Sequence, residues 1–259
     1  MAATPRTPRI ELDAPSPEAV DGRQIRAVAF QKCRMDYVRT TLTALGRTPA
    51  GRRALAVGSG RGLLASGLAG LGFGVTAVDP SATATRIARE THPHGHPAVD
   101  YRTAPAGELG LNDASFDLAY YADTFEITPD LDRVLAEAAR LLRPGGVLVY
   151  DTVNRTPLSR LVYLGAFQRL PLTRIMPPGR YTAARLRTPA ELTAALDRHG
   201  LRNDDICDFR PRDPRGLITA TVARRRGRIT DERIPPLAGF VLAPDARPRV
   251  TYLGYAVKR

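Results

Sequence analysis

The chain has 259 residues, 43% of them hydrophobic and 25% charged, with a formal net charge of +12. That balance supports a buried core and excludes global disorder, and no apolar run of about 18 residues is present to span a bilayer. The charge is uneven: residues 1–154 carry 17 basic and 17 acidic side chains, whereas residues 155–259 carry 21 and 9.

Residues 1–22, rich in proline and without the charged-then-apolar order of a secretory signal, read as a disordered arm ahead of a single domain over 23–259. Apolar positions at Ile25, Val28, Ala29, Val38, Leu42 and Leu45 predict one or two helices before Gly46. The run 54–57 predicts a strand, closed by Gly58, Gly60 and Gly62; a helix follows, then a strand over 75–79. The alternation continues with a helix over 82–90, a short strand near 99–102, a strand over 116–123, a helix over 131–142 and a strand over 147–153, the last two separated by Arg143-Pro144-Gly145-Gly146. Such alternation specifies an α/β fold, a Rossmann-like doubly wound sheet that is mainly parallel. Residues 155–187 break the rhythm with arginines among apolar side chains and read as an insertion after the fifth strand. Thr188-Pro189 opens a helix over 189–199, and the runs 218–225 and 250–258 read as β-like.

A Gly-x-Gly-x-Gly turn between strand and helix brings backbone N–H groups close to a ligand at a helix N-terminus. Asp79 ends the second strand 21 residues after Gly58, where a carboxylate can accept both hydroxyls of an adenosine ribose. This much fits NAD(P) and S-adenosylmethionine equally. Cys33 and Cys207 lie far apart and form no metal or redox motif, which points to a reduced, cytoplasmic setting.

The stretch AVGSGRGLLASG through VTAVD, followed by SFDLAYYAD and LLRPGGVLVYDT, resembles the class I S-adenosylmethionine-dependent methyltransferases. The continuation NRTPLSRL, IMPPGRY, TPAELTAALDRHGL and VTYLGYAVK is similar to one branch, the ubiquinone-biosynthesis O-methyltransferase family. The likeness thins after about residue 205. It implies S-adenosyl-L-methionine as cofactor, with Arg34, Gly58, Gly60, Asp79 and Ala122 in contact with it, Arg34 suiting the methionine carboxylate. An alternative reading of Arg34 is a solvated helix residue.

Three positions depart from that family. Ala56 stands where an acid usually precedes the glycine turn, and Gly107 where an acid usually approaches the adenine, with Glu108 adjacent. The family's Glu-x-x-Glu-His, associated there with a divalent cation, becomes Asp123-Thr124-Phe125-Glu126-Ile127. The resemblance therefore implies Mg²⁺ only through the oxygens of Asp123 and Glu126. The same two acids are the candidate catalytic bases, ahead of Tyr121; a bland reading makes them helix-capping acids.

The function expected is O-methylation of a phenolic or quinol-like small molecule. The alternative is a protein of the same fold that binds S-adenosylmethionine without methylating. The insertion reads as an active-site lid or as a peripheral membrane contact at an anionic surface. Nucleic acid is disfavoured as a partner, since Arg224-Arg225-Arg226 and Arg228 have no interleaved aromatics. His92, His94 and His96 read as a solvated loop, and His199 as a helix-end cation.

Overall fold

The computed structural model describes residues 8–16, 18–91 and 99–259. One long helix, α1 (Gly22–Ala44), precedes the alternating core, its first turn capped by the Asp21 carboxylate, which accepts from the Arg23 and Gln24 amides. Then follow β1 (Arg53–Val57), α2 (Leu63–Gly70), β2 (Gly74–Asp79), α3 (Ala82–Thr91), β3 (Val99–Thr103), β4 (Phe116–Tyr121), α4 (Leu131–Leu141) and β5 (Leu142–Val153). The apolar runs in β1, β2, β4 and β5 are continuous because these strands are covered on both faces. Arg143 to Gly146, expected to separate helix from strand, forms a bulge: Phe116 pairs with Leu142, and the ladder resumes at Leu118 and Val147.

The insertion begins with a short turn, α5 (Pro157–Ser159), and a π-helical stretch over Arg160–Ala166. It folds back on itself where Gln168 exchanges two hydrogen bonds with the Tyr181 backbone, at 3.1 and 2.8 Å. After it come α6 (Pro189–Arg198), β6 (Leu201–Pro211), α7 (Pro214–Arg225), α8 (Ile234–Ala238), β7 (Phe240–Ala243) and β8 (Thr251–Lys258). Thr188 and Glu191 form a reciprocal capping box that starts α6 at Pro189.

The eight strands lie in the order β3-β2-β1-β4-β5-β8-β6-β7. The first five are parallel, and β8, β6 and β7 continue the sheet antiparallel. One apolar core packs beneath α1, α2 and the insertion, and the other beneath α4 and α6. The carboxyl ends of β1, β2, β4 and β5 therefore meet on one edge, where an open α/β sheet places its ligand.

Two expectations change. Residues 218–225, read as β-like, lie in α7: Asp213 caps it by accepting from the Arg215 amide, and Pro214 opens it. Residues 8–16 and 18–21, assigned to a disordered arm, instead run back along the domain, with an Ile10–Val20 bridge and the Asp13 amide donating to Asp21 at 2.8 Å. Among the described residues no helix is long and apolar enough to cross a membrane.

Candidate active site

The glycine turn is held by backbone bonds: the Gly58 and Ser59 amides both donate to the Val78 carbonyl, at 2.9 and 3.2 Å. Gly58 sits at φ +71°, and a Cβ there would lie 2.3 Å from the Ala122 carbonyl oxygen, so only glycine fits between the ends of β1 and β4. The Asp79 side chain is buried, and its oxygens accept from the Gly60 amide at 2.8 Å and the Ser81 amide at 2.9 Å. Two backbone donors fix the carboxylate at the mouth of the turn.

A residue that the sequence reading did not single out closes this mouth. Arg23, in the first turn of α1, pairs with Asp79 through Nη2, and through Nη1 with both oxygens of Asp13 at 2.8 and 2.7 Å. Arg61 ties the same N-terminal segment down, donating to Asp21 at 2.9 Å and to the Ala14 carbonyl at 2.7 Å. The remaining cavity beside Gly58, Gly60, Arg34 and Asp123 is about 20 Å³, room for little more than one water.

Behind it lies a buried ionic cluster. Arg34 is not a solvated helix residue: Nε and Nη2 each reach Asp151 at 2.9 Å, and Nη2 lies 3.1 Å from Asp123. Asp151, near the end of β5, is fully buried and needs such a partner, which is why α1 turns this arginine inward. Arg26, one turn of helix before Phe30, reaches Asp123 at 2.5 Å and Glu126 at 3.0 Å. Asp123 adopts φ +49°, a left-handed conformation that aspartate tolerates better than most residues, and its side chain retains a 14% opening onto the cavity. Glu126 is sealed, its second oxygen accepting from Thr152 at 3.2 Å.

The two acids are thereby set apart. Burial opposes the Asp123 charge, but Arg26 and Arg34 outweigh it and pull the carboxyl down to about 2. Burial pushes the Glu126 carboxyl up to about 7, outweighing Arg26 and aided by Asp123 and Asp151. Tyr121 packs under α4 rather than against the cavity: its ring stacks on Phe125 at 5.5 Å, and burial pushes its phenol well above the usual range.

Arg34, Gly58, Gly60, Asp79, Ala122, Asp123 and Glu126 are thus all gathered at one sheet edge. The expected metal use of Asp123 and Glu126 meets guanidinium groups on both carboxylates. Ala56 is buried in the core. Glu108 is turned outward to Arg133 of α4 at 2.5 Å, and Gly107 packs on that same side chain. His199 bonds Asp132 at 2.9 Å, while His92, His94 and His96 lie outside the described residues. Arg224 pairs with Asp231 at 2.6 Å and Arg225 donates to the Pro8 carbonyl, so these two arginines are spent inside the fold. The site residues that sequence reasoning missed are Arg23, Arg26 and Asp151. Their signal was faint: Arg23, Arg26, Phe30, Arg34 and Tyr37 recur at helical spacing on a face distinct from the apolar positions.

The methyltransferase domain family matches residues 55–150. Over 240 residues the chain is 33% identical to the ubiquinone biosynthesis O-methyltransferase of Xanthomonas axonopodis pv. citri, covering 92% of this chain and 87% of the relative. It is 32% identical over 195 residues to the ubiquinone biosynthesis O-methyltransferase of Mesorhizobium japonicum, covering 69% and 77%. Among solved structures it resembles a S-adenosylmethionine-dependent methyltransferase from Thermotoga maritima, with TM-score 0.61, 20% identity and coverage of 92% and 94%. It also resembles the magnesium protoporphyrin IX methyltransferase of Synechocystis with bound S-adenosylhomocysteine, with TM-score 0.59, 17% identity and coverage of 92% and 86%.

Proposed function

Because the chain belongs to the class I S-adenosylmethionine-dependent methyltransferases, in the family of the ubiquinone biosynthesis O-methyltransferases, we propose that its acceptor is a phenolic or quinol-like small molecule methylated on oxygen. The observation that carries this reading is the placement of Asp123, opening onto the same cavity as Gly58 and Gly60. S-adenosylmethionine supplies an activated methyl group for in-line displacement, so alignment provides much of the acceleration.

The chain's own residues divide the remaining work. Asp79 accepts the ribose hydroxyls, Gly58 and Gly60 allow close backbone approach, and Arg34 offers the cofactor's carboxylate a guanidinium beside the cavity. Asp123 accepts a hydrogen bond from the acceptor's hydroxyl and orients its oxygen, while Glu126, sealed behind the cavity, holds Arg26 in place. The insertion covers the site from above through Tyr163 and Tyr181, excluding water as a lid does. Incubation with labelled S-adenosylmethionine and a panel of catechols, hydroquinones and phenols is the test. Transfer to none of them, together with no cofactor binding by calorimetry, would sink the reading.

Arg23 must leave Asp79 before the ribose can take its place. Its charge-assisted bond is worth about 1.5–3 kcal/mol, so Arg23→Ala is expected to tighten cofactor binding by about tenfold. Calorimetry checks this, and a weaker Kd would mean that Arg23 holds the cofactor rather than blocking it.

The insertion's outer face supports a peripheral contact with anionic lipid. Leu158, Leu161, Leu170 and Leu172 are 42%, 66%, 54% and 56% exposed, with Arg160, Arg169 and Arg174 interspersed. Leu161→Ser combined with Leu172→Ser is expected to cut co-sedimentation with phosphatidylglycerol vesicles by about tenfold while leaving turnover of a soluble acceptor intact. Equal sedimentation of both proteins, or none of either, removes this contact.

A further inference from the structure

Asp123 and Glu126 are the oxygen donors a divalent cation would use, and each of their four oxygens already faces a protein cation or hydroxyl, Asp123 Oδ1 meeting Arg26 as an ion-pair contact without a hydrogen bond. Arg26 Nη2 lies 2.5 Å from Asp123 Oδ1 and 3.0 Å from Glu126 Oε1. Asp123 Oδ2 lies 3.1 Å from Arg34, and Glu126 Oε2 accepts from Thr152 at 3.2 Å. The Arg26 guanidinium is itself enclosed: its central carbon is 5.3, 5.1 and 5.6 Å from the ring centroids of Phe30, Tyr163 and Tyr181, and Nη1 donates to the Tyr181 hydroxyl at 2.5 Å.

A guanidinium is a permanent, weakly hydrated, planar cation, suited to an aromatic enclosure and to two carboxylates at once. Mg²⁺ requires a near-octahedral oxygen shell at about 2.0–2.1 Å and keeps several of its waters. Seating it here would displace Arg26 from both acids and from three rings. Among the described residues, no group of three or more His, Cys, Asp and Glu side chains is arranged to hold a metal ion, and the position after Glu126 is the apolar Ile127. The residues present do not fit the divalent cation that the resemblance implies.

We propose that Arg26 is the resident cation of this site, holding Asp123 and Glu126 where a divalent ion would otherwise sit, and that methyl transfer by this chain needs no divalent metal. Arg26 is a positioning residue: it sets the two acids and, through Tyr163 and Tyr181, ties the insertion to them. The proposal rests on the methyltransferase reading for its second half only, because cation binding is measured without any acceptor.

The test is Mn²⁺ titration of the full chain, followed by electron paramagnetic resonance, alongside turnover with and without a chelator. The wild-type protein is expected to show no saturable Mn²⁺ binding up to about 1 mM and turnover unchanged within about twofold by chelation. Arg26→Gln removes the charge and keeps much of the bulk. It is expected to gain a Mn²⁺ site with Kd on the order of 0.1–1 mM, abolished again by Asp123→Asn with Glu126→Gln, whereas Arg26→Lys gains none. Saturable Mn²⁺ binding by the wild-type protein that is lost in Asp123→Asn/Glu126→Gln overturns the proposal. So does turnover abolished by chelator and restored by Mg²⁺, or a folded Arg26→Gln protein that binds no Mn²⁺. If Arg26→Gln does not fold, the wild-type titration alone decides. Failure to bind S-adenosylmethionine would sink the functional reading and leave the Mn²⁺ result standing.

Discussion

Replacing Asp79 with alanine is expected to raise the Kd for S-adenosylmethionine by about 100- to 10,000-fold, since two hydroxyl bonds to a charged acceptor contribute about 1.5–3 kcal/mol each and 1.4 kcal/mol is tenfold. The carboxylate is already oriented by the Gly60 and Ser81 amides, so once Arg23 has left it the ribose meets an acceptor that need not itself turn. Ala56 and Gly107 provide no acid of their own, and Glu108 is turned away to Arg133, so Asp79 is the one expected to make the main anionic contact with the nucleoside. Truncation also releases Arg23 and loosens the turn. Asp79→Asn, which keeps an acceptor oxygen, separates the effects: it is expected to retain the fold and recover part of the affinity. Calorimetry gives the Kd and thermal melting the control. A Kd within threefold of wild type in Asp79→Ala would remove the ribose assignment.

The positions of Asp79 and Gly58 were legible in the sequence because they are set locally. A glycine with φ +71° and an acid at the end of the next strand follow from a strand–turn–helix–strand pattern spanning about two dozen residues. Most of the parallel half of the sheet was legible for the same reason, β1, β2, β4 and β5 each being an apolar run bounded by turn residues. The misread α7 shows where composition misleads. Ile218, Thr219, Thr221 and Val222 favour strands as side chains, but Asp213-Pro214 is a helix start, and the start signal prevailed. The ionic cluster lay beyond reach for a different reason. Arg34 and Asp151 are 117 positions apart, and Arg26 and Tyr181 are 155 apart, so their pairing depends on how α1 and the insertion dock over the ends of β4 and β5. Within α1 only the shared helical face of Arg23, Arg26 and Arg34 with Phe30 and Tyr37 hints that its arginines point inward.

Removing Arg34 is expected to give the largest loss of stability. Arg34→Met keeps the apolar stem but leaves Asp151 buried without its bidentate partner, a change that costs about 3–5 kcal/mol. For a chain of this size that lowers Tm by about 10 °C. The deficit carries a pH signature. Burial already raises the Asp151 carboxyl above its ordinary value against the pull of Arg34, and without that pull it rises further. A carboxyl whose folded-state pKa lies above its unfolded one favours the native state only while it is protonated. The variant's stability is therefore greatest below the unfolded aspartate value and falls as pH rises through the folded one. The gap between variant and wild type should shrink on acidification and widen toward neutral pH. Arg34→Met with Asp151→Leu removes both charges from the interior and is expected to regain most of the lost Tm, because the penalty lies in the orphaned carboxylate rather than in the loss of the pair. Denaturant or thermal melts of the three proteins at several pH values check all of this. An Arg34→Met protein that melts within about 2 °C of wild type at neutral pH would show that Asp151 has water or another cation within reach, and that the cluster is more open than its burial implies.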